Sequence, residues 1–175
     1  MAVAIISSFV TRVPTRVFGR RPRPQLKLLT RLATGSSISG PEGTKRQFHA
    51  FIGIENTGRG TARAPYLSLA VNSPYEVRRR GLDGDPGDSL RPLARGRGTN
   101  VHRFGSTDGL IIHPGTLLEV CSVSTHIHDS EVSISDLEIA YDIAAENTRP
   151  MSGRVILPGA DLMQFVRKQK AKPDV

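Results

Sequence analysis

Phe48-His49-Ala50-Phe51-Ile52-Gly53-Ile54-Glu55-Asn56-Thr57-Gly58-Arg59-Gly60 is the stretch on which the fold turns. Phe48, Ala50, Ile52 and Ile54 stand two residues apart, with His49 and Glu55 between or beside them. Successive strand side chains point to opposite faces, so this period predicts a half-buried β-strand. Asn56–Gly60 reads as the connection that ends it, a hairpin or loop in which Gly58 and Gly60 supply positive φ angles. Leu67, Leu69 and Val71, alternating with Ser68 and Ala70, predict the next strand.

The same period extends outward. Upstream, Leu26, Leu28 and Leu32 alternate with Lys27 and Arg31. Residues 72–105, with Pro74, Pro86, Pro92 and six glycines, read as one long connection. Connections of that length in a compact domain are often functional or mobile. Residues 109–113 form a short apolar run stopped by Pro114-Gly115, and Leu117, Cys121, Val123 and Ile127 fall on one face of a longer strand. Val132 and Ile134 keep one phase while Leu137, Ile139, Tyr141 and Ile143 keep the other. That slip predicts a β-bulge near Ser135-Asp136. Arg154–Leu157 is a last short strand, and Asp161 is expected to cap a short helix with Leu162, Phe165 and Val166 on one face.

About seven short strands without βαβ alternation predict an all-β chain, a β-sandwich or barrel. The expected layout is a disordered basic arm over 1–24, the sandwich over 25–160, and a short helix with a basic tail over 161–175.

Composition narrows the function classes. The single cysteine, Cys121, excludes an internal disulfide framework and a cysteine-based zinc site. No apolar run approaches the roughly 20 residues of a membrane-spanning helix. These features lead to the expectation of a cytoplasmic protein that uses no membrane and no cofactor. The net charge of +8 is uneven: residues 1–47 hold nine basic residues and one acid, whereas 48–160 hold eleven and thirteen. The basicity therefore sits in the N-terminal segment, where Arg12, Arg16, Arg20, Arg21 and Arg23 can hold phosphates by counterion release. A solvated tail accounts for the same charges. So does an organellar transit peptide, although Pro14, Pro22 and Pro24 break the helix that one needs.

Residues 51–62 with Ala64-Pro65-Tyr66-Leu67-Ser68-Leu69 resemble the strand, Asn-x-Gly-x-Gly, strand pattern of immunoglobulin-like adhesion and accessory domains. Together with Gly81-Leu82-Asp83-Gly84 and Ile112-His113-Pro114-Gly115-Thr116, they are similar to the β-rich C-terminal region of bacterial proteins that carry a Schlafen/AlbA-type DNA-binding, ATP-binding domain in front. The resemblance covers roughly residues 45–160 and rests on turns and strands. It implies an immunoglobulin-like β-sandwich, a bacterial accessory module and no catalytic residue. The residues that resemble it include none of that upstream domain, so its nucleic-acid and nucleotide roles do not carry over.

Four features are candidate sites. His126 and His128 share a strand face, as two metal ligands must, with Glu131 and His113 as distant completions. Flanking Ser122 and Ser124 make a plain wet face the alternative. Asp83, Asp85 and Asp88 put three carboxylates in one loop, but without EF-hand spacing, and Arg78–Arg80 can neutralise them. Arg91, Arg95, Arg97 and Arg103 make a basic loop suited to single-stranded nucleic acid, although only Phe104 is at hand for stacking. Cys121 lies in an apolar phase, where a thiol is inert packing. The leading expectation is a non-enzymatic module that binds a protein partner. A nucleic-acid-associated protein using the basic segments is the alternative, and a His-based metalloprotein or hydrolase the third.

Overall fold

The alternation at Phe48 belongs to a strand of fourteen residues, and the chain before it forms one of fifteen. The computed structural model describes residues 4–6, 22–41, 43–79, 90–93, 100–106 and 109–170. In chain order the strands are β1 (Ala4–Ile6), β2 (Leu26–Gly40), β3 (Gly43–Asn56), β4 (Ala62–Arg63), β5 (Tyr66–Val71) and β6 (Glu76–Arg79). They continue with β7 (Arg91–Pro92), β8 (Val101–Gly105), β9 (Ile111–Ile112), β10 (Leu117–His128), β11 (Leu137–Ala144) and β12 (Met151–Leu157), and a helix α1 (Gly159–Lys170) follows.

The all-β reading holds, with twelve strands among the described residues rather than about seven. One five-stranded sheet has the order β1-β2-β3-β10-β6 and a second β12-β11-β5-β8-β7; β4 and β9 form a small third. Every described pairing is antiparallel. The inward rows Leu28/Leu32, Phe48/Ala50/Ile52/Ile54 and Cys121/Val123/Ile127 of the first sheet join Leu67/Leu69/Val71 and Leu137/Ile139/Tyr141/Ile143 of the second. They form one buried cluster, to which α1 adds Leu162, Met163 and Val166. Burial of this contiguous apolar surface drives the fold.

Several expectations are corrected. Asn56–Gly60 makes no hairpin, because β3 and β5 lie in different sheets. Gly58 and Gly60 are not among the positive-φ residues. They are small because the backbone of residues 22–25 passes where a Cβ would stand. Residues 72–105 are not one structureless connection, since β6, β7 and β8 lie inside it. The phase slip before Leu137 is no bulge: residues 129–136 form a turn and loop, with Val132 84% exposed. Register shifts lie instead at Glu119/Cys121 and Thr34/Ser37. The first of these leaves Leu117 exposed rather than in line with Cys121.

The layout shifts at both ends. Ala4–Ile6 pair with Thr30–Leu32, and Arg23 O accepts the N–H groups of Arg59 and Gly60, so parts of the expected disordered arm belong to the body. The last strand begins at Met151 and the helix at Gly159. Asp161 does not cap the helix. Asp136 Oδ1 accepts the Gly159 N–H at 2.8 Å, and the Pro158 carbonyl accepts from Asp161 and Leu162.

Candidate binding groove

The helix that ends the described chain builds a concavity. Pro158 stops β12, and Gly159 admits the Ile134 carbonyl where any Cβ would collide. Asp161 in the first turn suits the positive end of the helix dipole. Leu162 and Val166 go into the core. Ala160, Met163, Gln164, Arg167 and Lys168, at spacings of three and four, form an adjoining stripe. That stripe and Val132 line a groove of about 440 Å³. Met163 is buried at its floor, Val132 stands at its lip, and Arg167 and Lys168 are exposed at one end.

The loop that carries Val132 is clamped at its base. Asn72 Nδ2 donates to Asp136 O and its Oδ1 accepts from Glu138 N, each at 2.8 Å. Tyr75 donates its hydroxyl proton to Ser135 O. Burial, with the Asp136 charge, pushes the Tyr75 phenol up to about 12, so it remains a donor. Together with the Asp136–Gly159 bond, these contacts fix the base of the loop against the helix start. Asn56 plays a similar part at another corner. Fully buried, it donates to Gly60 O (2.7 Å) and Ile112 O (2.9 Å) and accepts from Gln25 N (3.2 Å) and Gly58 N (3.1 Å). Sequence reasoning took Asn56 only as the start of a turn and did not find the groove; the one local signal was an apolar Val132 beside polar neighbours.

The residues singled out in the sequence are dispersed. Arg12, Arg16, Arg20, Arg21, Arg95, Arg97 and the Asp83/Asp85/Asp88 set lie outside the described residues. Arg23 is exposed, and Arg91 pairs through its backbone with Gly105. His126 and His128 lie at the end of β10 opposite Gln47 and Lys45. Among the described residues no three His, Cys, Asp or Glu side chains converge as a metal set.

The outer face of the first sheet is polar and self-matched. Arg31 pairs with Glu119 at 2.9 Å and lies 5.3 Å from the centroid of the Phe51 ring, which stacks on His49. Arg46 pairs with Asp129 at 3.1 Å. His49 is the register partner of Ser124, which is 1% exposed, yet His49 Nδ1 and Ser124 Oγ have no hydrogen-bond partner among the described residues. The two side chains do not form the hydrogen bond by which a base activates a nucleophile. Burial, then the charges of Arg78 and His126, lower the His49 pKa, which favours the neutral ring. Burial pushes the Cys121 thiol up to about 12, so no thiolate is available.

No helix among the described residues is long and apolar enough to cross a membrane. Neither the known protein families nor the curated proteins contain a match to this sequence.

Proposed function

We propose that the chain is a non-enzymatic binding module on an immunoglobulin-like β-sandwich, and that it docks a protein partner in the groove beside α1. The strand order supports the architecture. β2-β3-β10-β6 corresponds to the A-B-E-D sheet of a constant-type domain, and β12-β11-β5 to G-F-C. β8 and β7 extend the second sheet beyond β5, as the added strands of variable-type domains do. One departure is that β6, the D equivalent, comes before β7 and β8 in the chain. An accessory role beside another domain, as the resemblance implies, fits a module of this kind.

The observation that carries the functional reading is the clamped groove with Val132 at its lip. An isolated exposed valine needs no explanation; here Val132 lines a cleft with Ala160 and the buried Met163, and apolar side chains beside a few polar ones in a concave site support docking there. The nucleic-acid alternative draws mostly on arginines outside the described residues; of its set, Arg23 and Arg91 are described and lie apart from each other in the chain. On the described outer face, Arg31 and Arg46 are already matched by carboxylates, which weakens phosphate binding there.

A peptide-display selection against the folded chain tests this reading. Enriched peptides should lose binding to the Val132→Asp variant while its thermal unfolding stays unchanged. Binders indifferent to Val132→Asp, and also to Met163→Gln, would place recognition elsewhere and contradict the proposal.

A further inference from the structure

The groove also carries a chemical preference. We infer that its partner is an acidic protein segment bearing one large apolar anchor side chain; this rests on the groove being a docking site. Val132, Ala160 and Met163 supply an apolar interior, and the groove volume lies within the range of roughly 300–1,000 Å³ common for ligand pockets. A buried aliphatic or aromatic side chain is the occupant such an interior favours. The polar part of the lining consists of Gln164, Arg167 and Lys168, with no carboxylate. Neither Arg167 nor Lys168 has an ion-pair partner among the described residues, in contrast to Arg31, Arg46 and Arg154. The two cations at the groove are therefore open to a negative partner, as are other exposed cations such as Arg59 and Arg149, but these two alone line the groove.

Position adds to the argument. Arg167 and Lys168 follow Met163 and Gln164 by four residues, so charge and apolar floor share one helical stripe about one turn apart. A segment laid along the stripe can seat its anchor over Met163 and set acidic residues against the two cations. The placement of both cations late in the helix also suits its dipole. That bland role predicts a loss of helix stability on charge reversal and no change in binding preference, so the two are separable. Nucleic acid fits the groove poorly, because no aromatic side chain lines it to stack a base.

The test uses the full chain and three synthetic fluorescent peptides: an Asp/Glu-rich peptide with a central Leu-Phe anchor, its Lys/Arg counterpart with the same anchor, and the acidic peptide with Ser replacing the anchor. Fluorescence anisotropy should show binding of the first and at least about tenfold weaker binding of the other two. Raising salt from about 50 to about 300 mM should weaken the first, because rim charges act through screened attraction. Arg167→Glu with Lys168→Glu should reverse the order of the acidic and basic peptides, and the milder Arg167→Gln with Lys168→Gln should weaken the acidic peptide only. Equal binding of acidic and basic peptides, or an order unchanged by charge reversal, would overturn the inference. Should none of the three bind while display-selected peptides still require Val132, the groove reading stands and the acidic preference is wrong.

Discussion

Asp136 Oδ1 accepts the Gly159 N–H at 2.8 Å, and this one bond joins the loop that carries Val132 to the first turn of α1. A helix start leaves N–H groups without intrahelical partners, and a carboxylate there also meets the positive end of the dipole. Here the cap comes from a residue 23 positions earlier, so capping and groove assembly are the same contact.

Asp136→Ala should therefore cost about 0.5–2 kcal/mol of stability, the usual range for a lost cap. Urea unfolding measures it. Peptide binding in the groove should weaken as well. Asp136→Asn, which retains an acceptor oxygen, should recover most of both losses.

Asn56→Ala should destabilise more strongly, by at least about 2 kcal/mol. Removal of the amide leaves two buried carbonyls and two part-buried N–H groups without this partner, and each unsatisfied buried group costs about 1–3 kcal/mol before relaxation. The check is equilibrium denaturation against Asn147→Ala, whose amide makes its two bonds in an exposed setting and should cost less.

His49 gives a dependence on pH of defined sign. Its folded-state pKa lies below the ordinary 6.5, so the unfolded chain takes up its proton first. The neutral ring thus contributes stability above about pH 6.5 that is lost as pH falls toward the folded value. Between pH 7 and pH 5 the wild type should lose more stability than His49→Gln, with other titrations cancelling in the difference. Parallel curves for the two proteins would refute the assignment.

Residues 22–24 should be needed for full stability. Pro24 is buried, and Arg23 O accepts two N–H groups from the Asn56–Gly60 corner. Deletion through residue 24 should lower Tm by several degrees relative to deletion through residue 21, as a loss of about 1 kcal/mol implies at this chain length. Equal Tm values for the two truncations would show that this segment carries no load.

The legible part of the fold was the part with strict period two. Phe48–Ile54, Leu67–Val71 and Leu137–Ile143 each keep their apolar residues on one face, and each is buried as that pattern requires. Glu76–Arg79 and Val101–Gly105 escaped because each is short and lies toward a sheet margin, so too few inward positions are apolar to mark a period. Val132 was read into a strand phase because hydropathy does not separate an apolar residue facing the core from one facing a groove. The groove itself was not legible at all. Its walls are about 30 residues apart in sequence, and the bonds that align them run from Asn72, Tyr75 and Asp136 to backbone atoms, which no residue pattern announces.

Amide hydrogen exchange of the full chain, with and without a display-selected peptide, tests the central claim most directly. The account predicts added protection confined to the loop around residues 131–136 and to 159–168, the two walls that Asp136 joins. Protection centred on the β2–β3 hairpin or along β12, with those two segments unchanged, would contradict it.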